Sequence, residues 1–108
     1  MAGVAAFDEI LAVPGLAAIM MGPFDLAVSM GLKGDWRAPA VQDAVASMTE
    51  RAIAAGCPVI LPLFAPSIEE CRSDMAVWQA RGVKAFIIGT DKIILATAFR
   101  SWATLKPQ

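Results

Sequence analysis

Histidine is missing from this chain altogether, and cysteine occurs only as Cys57 and Cys71. Without histidine, no Ser–His or Cys–His nucleophile pair can form within the 108 residues. A zinc site is not expected either, because the two cysteines stand fourteen positions apart and make no metal-ligand spacing. Charge is scarce: 18% of residues are charged and the net charge is −1, against about 25% charged in an ordinary domain. No basic cluster is present, which argues against nucleic acid as a partner. Long apolar runs are lacking too. Those over residues 13–21 and 59–65 are broken by Pro or Gly, short of the ~20 residues a spanning helix needs. No membrane partner is therefore expected. The N-terminus shows no basic stretch before an apolar core, so no secretory signal is read there. Two thiols outside any disulfide framework point to the cytoplasm.

What the chain has in abundance is apolar surface. Hydrophobic residues make up 57%, against about 45–50% in typical domains. The excess implies a partner or a missing remainder. Residues 3–11 carry Val4, Phe7, Ile10 and Leu11 at helical spacing, and Pro14-Gly15 stops them. Residues 16–21 read as a strand and 26–30 as a short helix ended by Gly31. Lys33, Asp35 and Arg37 read as a solvated loop. Trp36, in the same loop, suits a pocket lid or a contact between subunits. Pro39 opens a helix with Val41, Val45, Met48, Ala52 and Ile53 as its stripe, and Gly56 ends it. Residues 57–63 are a second strand with Pro62 at its exit, since proline in mid-sheet loses a ladder bond. Ser67 and Glu70 fit a capping box. Cys71, Met75 and Trp78 form the buried face of the helix that follows. Residues 83–88 are a third strand. A final helix over 91–105 carries Ile94, Leu95, Ala98, Phe99 and Trp102, before a polar tail, Lys106-Pro107-Gln108.

Strands alternating with helices indicate βαβ units and a parallel sheet. Residues 15–25 echo residues 82–91: glycine, six strand residues, glycine, then an aspartate at the next helix start. Three parallel strands leave both sheet edges open, whereas eight close a barrel of about 250 residues. The expected fold class is thus α/β, with residues 1–108 a partial domain of about three β/α units from a TIM-type (β/α)8 barrel. The sharpest local feature lies at residues 19–26. There an apolar run ends in Gly22-Pro23 and a lone carboxylate, Asp25, follows at the strand exit. Active sites of such barrels sit on that rim. Asp25 is a candidate metal ligand or catalytic acid, or else the N-cap of the next helix. Asp91, at the equivalent exit, is read as the cap of the last helix.

The stretch Met21-Gly22-Pro23-Phe24-Asp25-Leu26-Ala27-Val28-Ser29-Met30-Gly31 resembles the signature of the HpcH/HpaI aldolase/citrate lyase family of class II pyruvate aldolases. Pro39-Ala40-Val41-Gln42, Ala54-Ala55-Gly56 and residues 82–91 resemble later family segments in order. The resemblance implies a barrel of the phosphoenolpyruvate/pyruvate type that cleaves 4-hydroxy-2-oxo acids to pyruvate and an aldehyde. It implies a divalent cation, Mg2+, Mn2+ or Co2+, bound by one Glu and one Asp, with the Asp falling on Asp25. It also implies that the backbone amides of Phe24 and Asp25 receive the carboxylate of a 2-oxo acid substrate, and that Pro62 lines the pocket. The last helix is expected to join a homo-oligomer. The family's metal-binding Glu, catalytic His and substrate-binding Arg would all lie upstream of Met1, so no catalytic residue is expected within this chain and the chain alone is expected to be inactive. The alternative is a non-catalytic barrel remnant that serves only as an interaction module. Residues 62–82 also form a longer segment than the family's usual one.

Overall fold

The computed structural model describes residues 2–105; the polar tail read at Lys106-Pro107-Gln108 lies outside them. The elements run α1 (Ala2–Ala5), α2 (Phe7–Leu11), β1 (Ile19–Met20), α3 (Pro23–Ser29), α4 (Pro39–Ala54), β2 (Val59–Leu63), α5 (Ile68–Ala80), β3 (Ala85–Ile88) and α6 (Asp91–Trp102). The expected first helix is divided at Ala6, which leaves the helical well at φ −93°, ψ 15°. Its backbone still bonds to Ala2 on one side and Ile10 on the other.

The three strands form one parallel sheet in the order β1-β2-β3. Sequential parallel neighbours joined by helices are the repeating unit of a β/α barrel. The ladder places Met20 beside Ile60, Ile60 beside Ala85, and Pro62 beside Ile87. Side chains alternate between faces. Val59, Leu61 and Leu63 are buried on one face. Met20, Ile60, Pro62, Ala85 and Ile87 share the other, where Met20 stays 60% exposed and Ile87 45%.

Pro62 lies near the exit of its strand, as expected. It is the penultimate residue of the central strand, inside the ladder, not beyond it. The hydrogen bonds show why this is tolerated. Ile19 N–H donates to the Pro58 carbonyl and Met21 N–H to the Ile60 carbonyl. Strand residues two apart face the same neighbour, so Pro62 turns its nitrogen toward β1. That strand's ladder has already ended at Met20. The missing N–H therefore falls where the β1 ladder stops.

The core lies between the buried sheet face and the helices. Helix α4 starts with Pro39 at a position where its absent N–H is harmless. Val41, Val45, Met48, Thr49 and Ala52 then recur on one buried stripe. Its end is closed by Gly56 in the left-handed region at φ 75°, with Cys57 N–H donating to the Ala52 carbonyl. Helix α5 is capped by Ser67, whose hydroxyl accepts from Glu70 N–H at 3.1 Å, and Trp78 is its buried residue.

Helix α6 has no buried residue among its twelve. Phe99 is 70% exposed and Trp102 71%. The radius of gyration, 16.4 Å, exceeds the about 13 Å of a compact chain of this length. Helix α6 is thus an amphipathic element that its own chain leaves uncovered.

Candidate active site

Asp25 stands where strand β1 ends. Met21 N–H still bonds to β2, and the chain then turns at Gly22, φ −111°, ψ 75°, into α3. The helix begins at Pro23, three residues earlier than the sequence pattern places it. Proline suits the first helical position because its φ is already helical and it has no N–H to leave unpaired. Gly22 is the N-cap and provides no side-chain cap. Asp25 is therefore not the cap but the third residue of the helix.

Two consequences follow. The first helical bond runs from Leu26 N–H to the Gly22 carbonyl at 2.9 Å. The N–H groups of Phe24 and Asp25 precede it and have no intrahelical acceptor. Next, the Asp25 carboxylate folds back over Gly22: a Cβ built there would lie 3.2 Å from Oδ2. Glycine at the cap leaves the room that the carboxylate occupies.

Asp25 is exposed and lines a depression of about 360 Å3 with Val4, Phe7, Ile19, Met20 and Met21. Phe24 points elsewhere. Its ring lies over Gly34, where a Cβ would come within 2.6 Å of the ring. Gly34 is at φ 83° and buried, so both the backbone and the ring call for glycine there. Pro62 does not share the Asp25 depression. It lines a cavity of about 40 Å3 with Pro23, Trp36, Gln42, Asp74 and Trp78. The strand exits of β1 and β2 thus meet through Pro23 and Pro62, while Asp25 and Pro62 open into different spaces. A cavity of about 470 Å3 lies between α5 and α6 and is lined chiefly by apolar groups. It is remote in sequence from Asp25 and includes no acid.

Asp91 is corrected as well. Thr90 is the N-cap of α6, its hydroxyl accepting from Ile93 N–H at 3.3 Å. Asp91 is the first helical residue, and its Oδ1 accepts from Lys92 N–H at 2.7 Å. The loop read as solvated does expose Lys33, Asp35 and Arg37, and Arg37 also fastens it. The Arg37 guanidinium lies 3.1 Å from Asp74 and 3.5 Å from Glu70, and stacks 4.3 Å from the Trp36 ring. Gln42 donates to the Trp36 carbonyl at 2.6 Å, and Trp36 meets Phe64 edge-on at 6.0 Å. The missed signal was the Glu70/Asp74 pair, acids four apart on one helix face.

A hard carboxylate oxygen such as that of Asp25 suits Mg2+ or Mn2+ in kind. In number it falls short. Among the described residues no group of three or more His, Cys, Asp or Glu converges on one point. One carboxylate at this rim does not by itself constitute a cation site.

Parallel β/α units with an acid at a strand exit define a portion of a TIM-type barrel, the architecture of many lyases. A sequence model of the HpcH/HpaI aldolase/citrate lyase family matches residues 1–91, and the chain belongs to that family. It is 37% identical over 103 residues to a hydroxypyruvate/pyruvate aldolase of Roseovarius nubinhibens, covering 92% of this chain and 36% of that protein. It is 30% identical over 93 residues to a 4-hydroxy-2-oxovalerate aldolase of Rhodococcus jostii, covering 85% and 36%. Among solved structures, an HpcH/HpaI family protein from Burkholderia cenocepacia superposes with a TM-score of 0.79 at 28% identity, over 94% of this chain and 37% of that one. The citrate synthase SbnG superposes with a TM-score of 0.78 at 32% identity, over 94% and 40%. The chain thus spans little more than a third of the curated relatives it matches. The family is one of aldolases and lyases, and the fold is part of its barrel. No helix among the described residues is long and apolar enough to cross a membrane.

Proposed function

We propose that this chain supplies three β/α units of a metal-dependent carbon–carbon lyase that cleaves 4-hydroxy-2-oxo acids to pyruvate and an aldehyde. The observation that carries the reading is the β1 exit. A glycine cap, a proline at the first helical position, two amides without helical acceptors and a carboxylate follow one another there. The Phe24 and Asp25 N–H groups would receive the substrate carboxylate, and the Asp25 carboxylate would be one ligand of the cation. The cation, when bound, supplies Lewis acidity to the oxygens of a 2-oxo acid. In the reaction the C3–C4 bond breaks, the 4-hydroxyl loses its proton, and C3 gains one. The proton-transfer group comes from outside this chain, which has no histidine.

Alone, the chain is inactive, because one carboxylate is a poor hold on a hydrated divalent cation. The bare stripe of α6 supports homo-oligomer formation through that helix, and the free thiols of Cys57 and Cys71 support a cytoplasmic setting. The test uses the chain by itself and a chimaera in which it replaces the matching segment of the Roseovarius nubinhibens aldolase. Pyruvate release from a 4-hydroxy-2-oxo acid is assayed with Mn2+. The chimaera is expected to turn over, its Asp25→Ala form to lose metal-dependent cleavage, and the isolated chain to stay at background. Full activity with Asp25→Ala would refute the role of Asp25. Turnover by the isolated chain would refute the need for the rest of the barrel.

A further inference from the structure

We propose that Gly22 is a positioning residue: by having no side chain it keeps the Asp25 carboxylate and amide out of the helix cap, and so available to a cation and a substrate carboxylate. The proposal rests on the aldolase reading above. The chain has eight glycines, and six of them have positive φ. Gly22 does not. Its φ of −111° lies on the side of the map that every L-residue uses. The backbone therefore does not explain this glycine, but its surroundings do. The three atoms nearest to a Cβ built at Gly22 are Asp25 Oδ2 at 3.2 Å, Asp25 Cβ at 3.7 Å and Asp25 Cγ at 3.9 Å. The first of these is closer than an ordinary van der Waals contact.

Helix α5 shows what a side chain does at this position. Ser67 and Glu70 stand as Gly22 and Asp25 do, at the N-cap and the third helical residue. Ser67 Oγ accepts from Glu70 N–H at 3.1 Å and donates to Glu70 Oε1 at 3.4 Å. The amide and the carboxylate of the third residue are both engaged by the cap, as in a capping box. In α3 a carboxylate holds the same position, yet no side-chain bond caps the helix. The difference between the two helix starts is the side chain at the cap. A serine at position 22 would bring α3 toward the α5 arrangement. Any Cβ there would also displace Oδ2 by a few tenths of an ångström, more than the about 0.2 Å that a metal–oxygen distance tolerates. Gly22 thus acts through Asp25.

The test uses the chimaera described above, with Mn2+ alone as the probe and the free ion read by electron paramagnetic resonance. Gly22→Ser is expected to raise the Mn2+ dissociation constant by about tenfold, the low end of what a group behind a metal ligand contributes. Gly22→Ala should raise it by less. Half-saturating Mn2+ for cleavage should rise in step, with kcat at saturating Mn2+ within about twofold of the parent. Without metal, Gly22→Ser should melt at or above the parent temperature, because serine caps helices at least as well as glycine. Its Asp25 amide should gain protection in hydrogen exchange. Mere structural damage would instead lower affinity and stability together, and that result overturns the proposal. So does unchanged Mn2+ affinity in Gly22→Ser, or an Asp25 amide no better protected, either of which leaves the aldolase reading standing. A Gly22→Ser chimaera that fails to fold overturns it as well, since the glycine would then serve the backbone. If Asp25→Ala leaves Mn2+ binding intact, Asp25 is no ligand, and the site assigned in the aldolase reading fails together with this proposal.

Discussion

Thr49 offers a test of the packing that is independent of function. It sits on the buried stripe of α4 at 0% exposure, and its Oγ1 has no hydrogen-bond partner. A hydroxyl left unpaired in an apolar interior costs about 1–3 kcal/mol. Valine has nearly the same shape, and its helix propensity is close to that of threonine. Thr49→Val should therefore stabilise the chain by about 1–2 kcal/mol, the unpaired-group penalty less a small packing adjustment. For a domain of this size that is a rise in melting temperature of about 4–8 °C per kcal/mol. Thr49→Ser is the counterpart: it keeps the hydroxyl, loses a buried methyl group, and should cost about 1 kcal/mol. Urea titration followed by tryptophan fluorescence measures both, with unchanged m-values required for the comparison. If Thr49→Val is less stable than the parent, the hydroxyl has a partner after all. The Val45 carbonyl one turn back is the first candidate.

Three further outcomes are expected. Leu61, 2% exposed at the centre of the middle strand, should cost about 3 kcal/mol or more when changed to Ala, read from the same urea titration. Ser67→Ala removes the acceptor for Glu70 N–H and should cost about 1 kcal/mol, with loss of protection in amide exchange confined to the first turn of α5. The double change Phe99→Glu, Trp102→Glu places charge on the bare stripe of α6. It should shift the chain from oligomer to monomer in sedimentation at micromolar concentration, and a parent chain that is already monomeric would refute the role of that stripe.

The parts of the fold that were legible in the sequence carry their own punctuation. Pro39 and Gly56 bound α4, and Ser67 with Glu70 marks the start of α5. These signals act within a few residues and need no partner. The strands were harder, because a strand's extent depends on what it pairs with. Residues 16–21 read as one strand, yet only Ile19 and Met20 are in the ladder, opposite Val59 and Ile60. Pro62 was placed at the strand's exit by a sound local rule, but the rule does not say which neighbour its nitrogen faces. The Arg37–Asp74 and Trp36–Phe64 contacts join residues far apart in the chain. No periodicity announces them.

The internal echo shows most clearly where sequence reading stops. Both copies have glycine, six strand residues, glycine and an aspartate, and both aspartates were readable as helix caps. Neither is one, for opposite reasons. After β3 a threonine precedes the aspartate, takes the capping bond from Ile93 N–H, and leaves Asp91 bonded to the next amide. After β1 the residue before the helix is Gly22, which has no side chain to cap with, and Pro23 then holds the first helical position. The helix start is left with open amides, and Asp25, two residues further on, folds into the space that Gly22 vacates. The same carboxylate at a similar spacing is thus occupied by local structure at one exit and kept out of it at the other. What separates them is the pair of residues between strand and aspartate, Pro23-Phe24 against Thr90. A capping side chain immediately before the acid uses up the helix start, whereas a Gly-Pro opening leaves the acid outside the cap and two amides without an intrahelical acceptor.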